Sequence, residues 1–251
     1  MMVDIHAHAF PPLTEASGFQ SPEEHVKYIQ RLVSFATHMR FEGELPGPDE
    51  EVQFRVGKYG KFEWIKGGRR GFLRYLPPTV VDMIWPPEHM LAHMDWVGVD
   101  KAVLYQGHLY GRLNDYLAGC VKKWPDRFAA VAQIDELRAS EEPQLNELRR
   151  AIRILGLKGL YFEESQRPGI DDERFYPLWD EMLNLKVPLL LELGRPTTAE
   201  QYLDRVSRTV KVMKKFPDLK TIIMVMGTNI REPMDPEYVD MPKKILNLIQ
   251  L

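Results

Sequence analysis

The chain has 251 residues, 44% hydrophobic and 27% charged, the profile of a globular domain. A formal net charge of −3 excludes the basic surface that nucleic acid or an anionic membrane would need. No apolar run nears the roughly 20 residues that span a bilayer, and the single Cys120 excludes an internal disulfide.

The expected first strand is Val3-Asp4-Ile5-His6-Ala7-His8. Side chains alternate along a strand, so His6 and His8 project to one side, separated by roughly 6.5–7 Å of backbone. Two imidazoles so placed can grip one metal ion. Val3 and Ile5 alternate with them and argue against a surface edge strand. No leader segment precedes this strand, which with the lone cysteine indicates a cytoplasmic protein.

Residues 11–95 form an insertion. Ser21-Pro22-Glu23-Glu24 opens a helix to about Met39, with Pro22 at its first position and His25 and His38 on its surface. The alternation in 52–65, with the glycines at 57, 60, 67, 68 and 71, predicts a β-rich flap over 40–76. A proline-rich passage then leads into a helix over Glu88–Val97, where His89 and His93 share a face that packs or meets solvent.

From residue 100 the chain alternates strand and helix. Expected strands are Lys101–Gln106, Arg127–Ile134, Leu157–Phe162, Val187–Leu193 and Thr221–Val225, which with the first make six. Between them lie helices over Asn114–Lys123, Glu142–Leu155, Glu173–Leu185 and one reaching Lys215, opened by a capping box at Thr197 and Glu200. A last helix is expected over Pro242–Leu251. Strands this apolar are covered on both faces, which in a βα repeat means a parallel sheet or barrel.

DIHAH, PPEHMLAHMDWVGVDKAVLYQ, NDYLAGCVKKWPDRFAAVAQID, GLKGLYFEE, RFYPLWDEMLNLKVPLLLELG and KKFPDLKTIIMVMG follow one another in an order and spacing that resemble the amidohydrolase superfamily. The likeness is to its branch of aminocarboxymuconate semialdehyde decarboxylase and aromatic-acid decarboxylases. The resemblance implies a single (β/α)8 TIM-barrel-like α/β domain over 1–251, incomplete at its C-terminal end, where six strands stand for eight. It implies one divalent metal, zinc in the first place with manganese or iron as alternatives, at the C-terminal ends of the strands. It also implies a histidine at the end of the fifth strand, where Glu192 stands, and another at the end of the sixth, where Val225 stands. All seven histidines lie at or before His108, so these are substitutions. The family aspartate of the eighth strand has no counterpart.

The expected metal ligands are therefore His6, His8 and Glu192, a carboxylate that needs a partner at the end of a buried strand. Glu163, ending the fourth strand, and His108, just past the second, are the expected catalytic acid–base groups. Arg195 could clamp a substrate carboxylate by its fork geometry, and Tyr161 and Trp85 would line the pocket. These assignments describe a metal-dependent hydrolase or nonoxidative decarboxylase acting on a small carboxylated or carbonyl compound. A non-catalytic barrel serving binding or oligomerisation, and a metal-independent lactonase-like hydrolase, are the competing readings. A barrel cut after six strands exposes edges, so a homodimer or higher oligomer is expected.

Overall fold

The computed structural model describes residues 1–36, 39–164, 169–194 and 198–224. The chain divides into two compact units, Met1–Ala130 and Val131–Leu251.

The first unit holds a parallel sheet of β1 (Val3–Ala7), β6 (Lys101–Leu104) and β7 (Phe128–Ala130), in the order β1-β6-β7. The register between β1 and β6 shifts between Asp4 and Ala7, and the Asp4 carboxylate accepts from the His6 backbone N–H at 2.9 Å. Such an irregularity re-aims side chains at a strand end. Beyond it Ala7 is buried. Val3 and Ile5 are 41% and 61% exposed, contrary to the sequence argument, because β1 is the edge of its sheet among the described residues.

The insertion contains α1 (Pro22–Ser34), the strands β2 (Arg40–Glu42), β3 (Gln53–Val56), β4 (Lys61–Lys66) and β5 (Arg69–Arg74), and α2 (Pro87–Val97). Ser21 caps α1, accepting from the Glu24 N–H at 3.2 Å. The helix ends at Ser34 instead of running to about Met39; the Phe35 and Ala36 N–H groups bond back to Leu32 and Val33 and close it. Strands β2-β5-β4-β3 make a separate antiparallel sheet that pairs with no strand of the parallel one. Gly67 and Gly68, both at positive φ, turn the β4–β5 hairpin between Lys66 and Arg69; only glycine takes two such positions without strain. Phe62, Trp64 and Leu73 bury the inner face of this sheet, each contributing about 1.5–3 kcal/mol. Helix α2 stops at Gly98 in the left-handed conformation, and α3 (Asn114–Lys123) returns to β7.

The second unit repeats the pattern: α4 (Glu142–Arg153), β8 (Leu160–Glu163), α5 (Tyr176–Leu185), β9 (Leu189–Glu192), α6 (Ala199–Lys215) and β10 (Thr221–Met224). Its strands are parallel in the order β10-β9-β8. Leu189, Leu190 and Leu191 are buried, as are Phe162, Phe175 and Trp179, whose rings meet edge to face or tilted. The expected strand over 127–134 is shorter, with Ala132 making a lone parallel bridge to Leu160. Helix α6 is capped by Thr198, whose hydroxyl accepts from the Gln201 N–H at 3.2 Å; Thr197, the expected cap, lies outside the described residues. Among the described residues six parallel strands are present, as the sequence predicts. The expected helix over Pro242–Leu251, Val225 and His38 lie outside the described residues.

Candidate functional site

In the first unit the His6 and His8 rings stand 5.2 Å apart, centroid to centroid, at 85°. His8 follows directly on β1, so the two histidines flank buried Ala7 where the strand ends. Tyr105 packs against both, at 4.4 Å from His6 and 4.8 Å from His8, and Tyr110 lies 4.8 Å from His8. Nδ1 of His8 is 2.9 Å from the Tyr105 carbonyl oxygen. A carbonyl only accepts, so Nδ1 carries the proton and the lone pair lies on Nε2. Burial, and then the charge of His6, lower the His8 pKa to about 4; hydrogen bonding to Gln106 and the charge of Asp4 oppose this. His8 is thus a neutral imidazole at neutral pH.

This is the state a metal ligand needs, with the second ring nitrogen tied to a backbone carbonyl that fixes tautomer and orientation. Two imidazoles on one tetrahedral zinc, with bonds of about 2.0–2.1 Å, place their centroids roughly 5 Å apart. The observed spacing fits. Among the described residues no group of three or more His, Cys, Asp or Glu side chains is gathered to hold a metal, so the described donor set is this pair.

In the second unit Glu163 and Glu192 are register partners at the ends of β8 and β9, on the same face of the sheet. Like charges on adjacent strands repel. The Tyr161 hydroxyl, two residues before Glu163, donates to Glu192 Oε2 at 2.5 Å and offsets that repulsion. Tyr161 is buried, and burial first, then the Glu163 and Glu192 charges, push its phenol pKa well up, so it remains a donor. Glu164 turns the other way. It is 3% exposed, its Oε1 lies 3.4 Å from Arg208 Nη1 and from the Ile170 N–H, and its Oε2 has no hydrogen-bond partner among the described residues. Burial raises its pKa to about 7 against those two contacts and Arg205.

His108 begins a 3₁₀ turn, His108–Tyr110, and its ring lies 5.9 Å from that of Tyr28. Trp85 pairs by its backbone with Phe10, and its ring meets His89 and His93 at 5.7 and 4.9 Å on an exposed helix face. Arg195 lies outside the described residues. Sequence reasoning missed Tyr105, Tyr110 and Gln106, whose amide donates to the Ala9 carbonyl. Their position directly after β6 was the available signal. It also misplaced His25, which is fully buried because His25, Ile29 and Val33 form one helical stripe.

Parallel βα repeats with chemistry-bearing side chains at the C-terminal ends of their strands define an α/β enzyme scaffold. The chain belongs to the amidohydrolase family, whose model matches residues 3–246. A probable 2-pyrone-4,6-dicarboxylic acid hydrolase from Acinetobacter baumannii, solved with citric acid bound, has a TM-score of 0.52 at 16% identity over 70% of this chain and 58% of that one. An uncharacterised TIM-barrel protein from Bordetella bronchiseptica is 21% identical over 64% of this chain and 57% of that one, TM-score 0.48. 5-Carboxyvanillate decarboxylase from Novosphingobium aromaticivorans, complexed with manganese, is 22% identical over 53% of this chain and 47% of that one, TM-score 0.47. The chain spans between 46% and 58% of the length of the solved structures it matches. Among the described residues no helix is long and apolar enough to cross a membrane.

Proposed function

We propose that the protein is a metal-dependent hydrolase or nonoxidative decarboxylase acting on a small carboxylated or carbonyl compound. The observation that carries this reading is the His6–His8 pair, at 5.2 Å with the His8 tautomer set by the Tyr105 carbonyl. A divalent ion there, zinc in the first place, would act as a Lewis acid and lower the pKa of bound water. His6 and His8 would hold it, and Tyr105 and Tyr110 pack against their rings. Glu163 is the proposed general base. The Tyr161 hydroxyl donates to its partner Glu192 and holds that side chain in place. His108 is a second proton carrier, and Arg195 is assigned to a substrate carboxylate from its place in sequence.

Metal analysis of protein purified without chelator tests this, together with turnover on a panel of esters, lactones, amides and aromatic acids. One equivalent of metal per chain, with activity lost in the His6→Ala/His8→Ala variant, is the expected result. Absence of metal and of turnover supports the second reading, a binding or oligomerisation module. That reading is favoured by one observation, the lack of any histidine beyond His108. A homodimer or higher oligomer belongs to the proposal, since among the described residues β1 is an edge strand with Val3 and Ile5 exposed. A monomer in sedimentation would remove that part.

A further inference from the structure

His25 lies on the buried stripe of α1 and is 0% exposed. Its Nδ1 is 2.8 Å from the Glu15 carbonyl oxygen and its Nε2 is 3.0 Å from the Leu109 carbonyl oxygen. Its face stacks on Phe19 at 5.0 Å and 14°. Carbonyl oxygens only accept, so each contact is a hydrogen bond only when that nitrogen bears a proton. A neutral imidazole has one N–H and can hold one of the two segments. The doubly protonated ring holds both.

The two segments matter because of what they carry. Leu109 is the middle residue of the 3₁₀ turn whose Tyr110 ring packs on His8 at 4.8 Å. Glu15 belongs to the loop that leaves β1. Loop and turn also touch at one other place, where the Arg112 N–H donates to the Ser17 carbonyl at 2.8 Å. There Gly111, at φ +118, leaves no room for a Cβ against Ser17. That contact secures the exit of the turn, and His25 secures its centre.

We propose that His25 is a positioning residue for the His6–His8 pair: a strut that ties the Glu15 loop to the Leu109 turn and so holds Tyr110 against His8. The proposal rests on reading His6 and His8 as metal ligands. The titratable and charged groups on the surrounding elements are Glu23, Glu24, Lys27, Tyr28 and Arg31 on α1, Glu15 on the loop, His108, Tyr110 and Arg112 on and after the turn, and Arg55 on β3. Glu24 is engaged with the Gln20 N–H, Arg31 with Asp49 and Arg55 with Glu63; Arg112 lies over the Phe19 ring at 4.9 Å.

The test compares the wild-type chain with His25→Phe, which keeps the stack on Phe19 and loses both donors, and His25→Gln, which keeps an amide donor. Affinity for Mn²⁺ and Zn²⁺ alone is measured by chelator competition. The expected loss for His25→Phe is about tenfold; His25→Gln, which keeps a donor, recovers part of it. Both variants equal to wild type, or His25→Gln no better than His25→Phe, would overturn the strut. Should His25→Phe fail to fold, His25→Gln against wild type decides, and an affinity equal to wild type overturns the strut. A wild-type chain that binds no metal overturns the proposed function along with the strut, whereas a metal-binding wild type with unchanged variants overturns the strut alone.

Discussion

The two units are built alike, three parallel strands with crossover helices, yet the ends of their strands carry opposite chemistry. In the first, two imidazoles sit in an aromatic surround, and burial keeps His8 neutral with its lone pair outward. In the second, two carboxylates stand side by side and a buried phenol supplies the proton that lets them do so. A neutral nitrogen donor and a carboxylate are both metal ligands or proton acceptors. Desolvation favours the first and penalises the second, so the second needs a hydrogen-bond donor built into the same sheet.

The largest effect expected from breaking this contrast is on the nitrogen side. His6→Ala with His8→Ala should cost more than about a hundredfold in metal affinity and in any turnover. Far-UV circular dichroism should be unchanged, since the pair lies at the end of a strand and not in the packed core.

On the carboxylate side the sharpest probe is Glu164, the buried acid on the outer face. Its folded pKa, about 7, lies above the ordinary carboxylate value of 4.5. Below pH 4.5 both folded and unfolded chains hold the proton and no penalty exists. Between pH 4.5 and 7 the unfolded chain releases the proton that the folded chain keeps, so stability falls as pH rises. Glu164→Gln should therefore be more stable than wild type above pH 7, by up to about 3 kcal/mol, with the gap closing toward pH 4.5. Urea denaturation across that range checks it, and an equal gap at every pH would contradict it.

A smaller loss is expected when the phenol is removed. Tyr161→Phe leaves Glu192 beside Glu163 without its donor and should cost about 1–2 kcal/mol by denaturant unfolding. The smallest effect is local. Thr198→Ala removes the cap of α6 and should cost about 1 kcal/mol, while Ser34→Ala at the half-buried end of α1 should change stability by less than about 0.5 kcal/mol.

Much of the fold was legible in the chain because it rests on periodicity. The apolar strands 101–104, 189–192 and 221–224, the Gly67–Gly68 hairpin and the Gly98 helix stop all follow from local chemistry. The pairing of Glu163 with Glu192 was half legible, since both residues end apolar runs, but their shared register is a tertiary fact. His25 was misplaced because a polar residue on an apolar stripe resembles a surface histidine until its two carbonyl partners, contributed by distant loops, are known. Val3 and Ile5 were misplaced for the opposite reason: alternation reveals an apolar face but not whether anything covers it. The Tyr105 carbonyl that orients His8 is a backbone group, and no side-chain pattern announces it.

The most direct test of the central claim is an anomalous-difference map from crystals of the chain purified without chelator, recorded on both sides of the zinc and manganese absorption edges. A single peak at bonding distance from His6 and from Nε2 of His8, with Nδ1 of His8 still against the Tyr105 carbonyl, is the predicted result. Two well-ordered imidazoles with no peak between them would contradict it.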